Sequence, residues 1–182
     1  MTHFPKVGHE VSFDDFCRLI PEELSNFPEG VLRQWVYEHG KGEGDIVDAL
    51  NLIPNLSQWG FQLVELSNAE IESIKHYPYD EKRLLEKGAW WLRSGRHSAP
   101  AFCDFMLEHG TTPAPLIVAR NASDHNHPIV EFRYPGHEGP MLEPLHLLEG
   151  NRRFALLRAM ISKGVASLKD KHSVWAVTFP DQ

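Results

Sequence analysis

The sequence predicts an α+β fold: a small mixed sheet with helices, preceded by a helical N-terminal cap. Three patterns lead there. Residues up to about 58 carry short helical periods punctuated by proline. Beyond Gly60 the pattern switches to period-two and continuous apolar runs separated by longer helical stretches. Between 145 and 164, an apolar run ends in Glu-Gly and a strong amphipathic helix follows at once. The expected division is therefore 1–58 for the cap and 59–182 for the α/β domain.

Each element has its own signal. Apolar residues at 13, 16, 17 and 20 form a helical stripe, with Ser12 placed to cap it and Pro21 to end it. Pro28 precedes a second short helix, Val31 to Tyr37, and Gly40 to Gly44 reads as a flexible loop. Asp45 can cap a third helix running to Leu52 before Pro54. Phe61 to Leu66 alternates as a strand, and Ser67 with Glu70 forms a capping box for the next helix. A helix is expected over Asp80 to Trp91, and another from Ser98, with Pro100 in its first turn and Gly110 at its end. Pro115 to Arg120 reads as a buried strand, Ile129 to Tyr134 as another, and 135–144 as a Gly/Pro-rich connection. Leu145 to Glu149 is a strand, Gly150 a turn, Asn151 to Lys163 a helix ended by Gly164, and Val174 to Phe179 a final strand.

Composition narrows the function. Across 182 residues, 42% are apolar and 24% charged, so the chain can bury a core and is not of disordered type. Eighteen Lys and Arg face 25 Asp and Glu, a net charge of −7 that argues against wrapping nucleic acid. Cys17 and Cys103 lack C-x-x-C spacing, so neither a disulfide framework nor a cysteine zinc site is expected. No signal peptide and no membrane span is expected, which makes the cytoplasm the default compartment. His125 and His127 have a chelating spacing with Asp124 or His137 nearby, but a solvated loop accounts for them better.

The densest signal is Leu147 to Arg158. Arg152 and Arg153 fall in the first turn of a helix, where cations oppose the macrodipole. They make sense if they face an anion held by the free N–H groups of the helix start, with Gly150 admitting the ligand to the backbone. A surface arginine pair bridging to Glu149 is the plainer alternative. Trp90 to Ser98 reads as a basic loop feeding a helix start at Ser98, so Arg93, Arg96, His97 and Ser98 are further candidates for a phosphate site. Their alternative is a solvated loop whose arginines answer the surplus of carboxylates. Adjacent Trp90 and Trp91 point to different helical faces, leaving one exposed for stacking or a partner contact.

The Pro115-to-Val118 strand, the Leu-Leu-Glu-Gly strand end and the Arg-Arg-Phe helix start together resemble the ParB/sulfiredoxin-like superfamily. Gly150, Arg153 and Phe154 match its pattern, while Leu156 stands where a small residue is usual. The resemblance implies a nucleotide-phosphate site taking ATP or CTP with magnesium, with Gly150, Asn151, Arg152 and Arg153 on the phosphates. Sulfiredoxins carry a catalytic Cys just after the glycine; Asn151 here excludes that repair chemistry. Partition proteins continue into a helix-turn-helix, whereas this chain ends at Gln182, so chromosome binding is not expected. Kinase members use a carboxylate near the glycine, and Glu149 is the local candidate. The expected function is binding of a nucleotide or phosphorylated small molecule, with phosphoryl transfer or hydrolysis left open. The rival is a protein–protein module, an immunity, antitoxin or regulatory protein, whose acidic surface suits a basic partner. A single-strand nuclease is disfavoured by the charge.

Overall fold

A computed structural model describes residues 3–41, 45–53, 55–76, 81–127 and 139–180. The fold is α+β, with seven helices and an open four-stranded mixed sheet among those residues. The chain groups into two compact units: one of residues 1–62, 122–141 and 177–182, the other of 63–121 and 142–176. The expected loop over Gly42 to Gly44, the strand over Ile129 to Tyr134 and the connection at 135–138 lie outside the described residues.

The first unit begins with α1 (Phe13–Leu19), capped by the Ser12 hydroxyl, which accepts from the Asp15 amide at 3.1 Å. A 3₁₀ turn, Glu22–Leu24, leads to α2, a helical stretch over 29–40. Its middle, Leu32–Tyr37, is π-helical, an irregularity that no residue pattern announced. α3 is Asp45–Asn51. This unit builds its own core: Phe16, Val31, Trp35, Val36, Val47 and Leu50 are buried. Asn51 ties the N-terminal segment to α3 by accepting from the Phe4 amide at 2.7 Å and donating to its carbonyl at 3.0 Å.

β1 (Gly60–Ser67), whose residues from Leu63 belong to the second unit, is followed directly by α4 (Asn68–Ser73), with the Ser67–Glu70 capping box in place. Next come α5 (Glu81–Ser98), α6 (Pro100–His109), β2 (Leu116–Arg120), β3 (Leu145–Glu149), α7 (Asn151–Lys163) and β4 (Lys171–Thr178). The sheet order is β1-β4-β2-β3, and β2 and β3 are antiparallel. Lys75 bridges the far side of β3, its amide donating to Leu145 and its carbonyl accepting from Leu147, so the edge is partly covered. α7 is buried from Phe154 to Met160, and with Leu84, Trp91, Met106, Leu116 and Val174 it centres the core.

One sequence expectation fails here. Trp90 to Ser98 is not a loop but the second half of α5, which runs unbroken for 18 residues. Gly88 and Gly95 look like helix breakers, yet both serve close packing. A Cβ at Gly88 would collide with the Ala155 carbonyl of α7, and one at Gly95 with Cys103 and the Trp91 ring. The gain from bringing helices together outweighs the ~1 kcal/mol propensity loss of each glycine. Helix α2 also extends beyond its expected bounds, and strand β4 begins three residues earlier than expected and ends one earlier, because element ends lack strong residue signals.

Candidate functional site

The start of α7 is assembled from three strand and helix ends. β3 is irregular opposite Ile117 and Val118, where Ile117 pairs with Glu149 but Val118 with Leu147. That bulge re-aims the strand end. Gly150 then takes φ +106°, a conformation that favours glycine, and a Cβ there would also press on Leu116 at 2.8 Å. Its carbonyl accepts the first helical bond from Phe154 at 2.8 Å. The N-cap residue is a glycine, so it offers no side chain to the N–H groups of this first turn. Such groups carry partial positive charge and point along the helix axis toward any ligand.

The two arginines at this turn have different surroundings. Arg153 is largely buried: its Nη1 donates to the carbonyls of Ala114 at 3.0 Å and Pro115 at 3.1 Å. Its Nη2 lies 3.8 Å from Glu149 Oε1, also largely buried. Burial lowers the Arg153 pKa and the Glu149 charge opposes that shift, so the pair keeps the guanidinium ionised. Arg153 therefore fastens the helix start to the entry of β2. Arg152 is exposed, with its guanidinium carbon 5.9 Å from the centre of the buried Trp91 ring. Asn151 is exposed too, and its Oδ1 lies 2.7 Å from Nε2 of His76, which makes that nitrogen the protonated one.

The structure thus brings Glu149, Gly150, Asn151, Arg152 and Arg153 together but not the second group. Arg96, His97 and Ser98 end α5, where cations complement the C-terminal dipole. Arg96 pairs with Asp104 of α6 at 2.7 Å. Ser98 caps nothing: Ala99 precedes α6, without a side-chain cap. Arg93 is exposed on the same helix, and no hydrogen bond or ion pair among the described residues joins these four to the start of α7. The two helix starts expected to face one pocket are one start and one end. His76, Trp91 and the Ala114 and Pro115 carbonyls were not anticipated at the site. Of these, only the Trp90–Trp91 pair carried any sequence signal, and Trp90 is the exposed member at 43%.

A second polar node lies deeper in the same unit. His172 on β4 is buried, with Nε2 2.9 Å from Asn68 Oδ1 and Nδ1 2.9 Å from the Thr111 hydroxyl. Burial lowers its pKa, and nearby Lys169 adds to this, against the Glu65 charge and a backbone hydrogen bond. The ring is neutral at physiological pH and links β4, α4 and the turn after α6.

Among the described residues, no three His, Cys, Asp or Glu side chains gather to hold a metal ion. His127 is buried rather than exposed on a loop, and His137 lies outside the described residues. Both cysteines are free. No described helix is long and apolar enough to cross a membrane. No protein-family model, curated protein or solved structure matches the chain.

Proposed function

We propose that the start of α7 binds a phosphorylated small ligand of the nucleotide class. The observation that carries this reading is a helix N-terminus whose N-cap is a positive-φ glycine with no side chain to cap it, beside an exposed arginine. In this reading the N–H groups of residues 151–153 and the Arg152 fork hold phosphate oxygens, and Asn151 donates through its amide. Arg153 is a positioning residue that keeps the turn against β2. Its resemblance to the ParB/sulfiredoxin-like helix start supports the same ligand class.

Turnover is not part of the proposal. Glu149 is the carboxylate at this turn and it faces Arg153, an arrangement that suits holding a cation in place better than accepting a proton. The same pairing is a poor fit for magnesium, which wants free carboxylate oxygen beside phosphate.

Titration calorimetry with ATP, CTP and GTP, each with and without magnesium, tests the reading. Arg152→Ala should weaken binding by roughly tenfold or more, because a charge-assisted contact contributes about 1.5–3 kcal/mol. Absence of binding at millimolar nucleotide, or binding indifferent to Arg152→Ala, would remove the proposal. One observation favours a second reading, a protein–protein module that keeps the fold without catalysis. Arg153 and Glu149 already answer each other inside the protein, and the net charge of −7 suits a basic partner.

A further inference from the structure

The buried His172 node and the start of α7 belong to the same unit, and one short turn joins them. That turn is Gly110 to Pro115, between α6 and β2. At one end the Thr111 hydroxyl meets His172 Nδ1 at 2.9 Å, and the Gly110 carbonyl accepts from the Lys169 amide at 3.1 Å. At the other end the Ala114 and Pro115 carbonyls hold Arg153 Nη1 at 3.0 and 3.1 Å. Pro113 and Pro115 fix two φ angles of the turn, so a shift at Thr111 is passed along it rather than absorbed in it.

Hydrogen bonding sets the state of the ring. Asn68 Nδ2 donates to the Lys169 carbonyl at 3.2 Å, so its Oδ1 is the atom that faces His172 and accepts from Nε2. Nδ1 is then the bare nitrogen and accepts from the Thr111 hydroxyl. A proton added at Nδ1 would set hydrogen against hydrogen there, and it would place a charge on a residue that is 1% exposed. Either the hydroxyl turns away or the turn moves. Glu65 of β1 favours the charge and Lys169 opposes it, while α4 and the turn meet the ring through uncharged Asn68 and Thr111. His109, at the end of α6, packs on Phe105. Burial dominates, so His172 takes its proton below the ordinary histidine value of about 6.5.

We infer that protonation of His172 loosens the turn that holds Arg153, and that the anion affinity of the α7 start therefore falls as the solution acidifies. With the two carbonyls displaced, Arg153 no longer fixes the first turn of α7 against β2, and the N–H groups of residues 151–153 lose their common aim. The loss of affinity rests on the phosphate-binding reading of that helix start, whereas the mechanical coupling needs no ligand.

NMR of the ligand-free full chain between pH 7.5 and 5.0 tests the coupling. The Ala114 amide and the Arg153 Nε–H should titrate with the midpoint of the His172 ring, below about 6.5, while the chain stays folded. In Thr111→Val the ring should still titrate but the two distant shifts should be lost. His172→Gln, which keeps a donor for Asn68 and takes up no proton, should lose them as well, and it decides the matter should Thr111→Val not fold. His76→Gln, which removes the imidazole beside Asn151, should leave them in place. By calorimetry, ATP affinity should fall from pH 7.5 to 5.5 by roughly fivefold or more beyond the fall in Thr111→Val, a comparison that cancels the titration of the nucleotide itself. Ala114 and Arg153 signals that do not follow His172, that move equally in Thr111→Val, or that move only as the whole chain unfolds each overturn the inference. So does ATP binding with the same pH dependence in both proteins. Failure of ATP to bind at any pH removes the phosphate-binding reading instead, and the ligand-free titration still decides the coupling.

Discussion

Residues 93–98 and 150–153 both set arginines close together near a helix terminus, but at opposite ends of the dipole. At the end of α5, Arg96 and His97 stand where the backbone favours positive charge, and Arg96 has an ordinary exposed partner in Asp104. At the start of α7, Arg152 and Arg153 stand where the backbone disfavours it. Arg153 is held there by two carbonyls and Glu149, which explains its presence without any ligand. Among the described residues, Arg152 has only the distant face of Trp91. Cation clusters therefore need sorting by helix end before they are read as binding sites. After sorting, Arg152 is the arginine that stands at a helix start without a close partner among the described residues.

This contrast can be broken experimentally, and the largest effect should come from Arg153→Met. Removing the guanidinium leaves two carbonyls and Glu149 without it in a largely buried setting, so urea unfolding should show a loss of about 3–5 kcal/mol. A loss below ~1 kcal/mol would mean that Arg153 is not structural. Gly150→Ala should follow at about 1–3 kcal/mol, from the strained φ and the press against Leu116. Arg96→Ala should lower stability by no more than about 1 kcal/mol, since its pair is exposed and screened. Equality between Arg96→Ala and Arg153→Met would erase the distinction between the two ends. Arg152→Ala should change stability by less than ~0.5 kcal/mol while weakening anion binding.

The subtlest effect is a pH slope from His172. Its pKa is lower in the folded protein than in the unfolded chain, so the unfolded state takes up protons first as pH falls. Its contribution to stability is complete above the unfolded value of about 6.5 and declines as pH drops below it. His172→Gln, measured by thermal unfolding at pH 7.5 and 5.5, should flatten that decline. An unchanged slope would show that the decline has another source.

Much of the fold could be read locally. Ser12, the Ser67–Glu70 pair, Pro100, Gly110 and Gly164 mark helix ends through bonds or backbone angles set within a few residues, and each behaves as its chemistry requires. The continuity of α5 could not be read, because Gly88 and Gly95 acquire their purpose only against Ala155 and Cys103, far along the chain. The candidate site was half legible for the same reason. Gly150 and its following arginines announced a helix start, but the acceptors that claim Arg153 are the backbone carbonyls of Ala114 and Pro115, which carry no side-chain signal. The His76–Asn151 contact was hidden likewise, spanning 75 residues.

Backbone amide NMR during titration with ATP reads the central claim most directly. Binding at the start of α7 predicts saturable shifts largest at the amides of Asn151, Arg152 and Arg153, lost in Arg152→Ala while the rest of the spectrum stays native. Shifts that fail to saturate, or that centre on 93–98 instead, would contradict it.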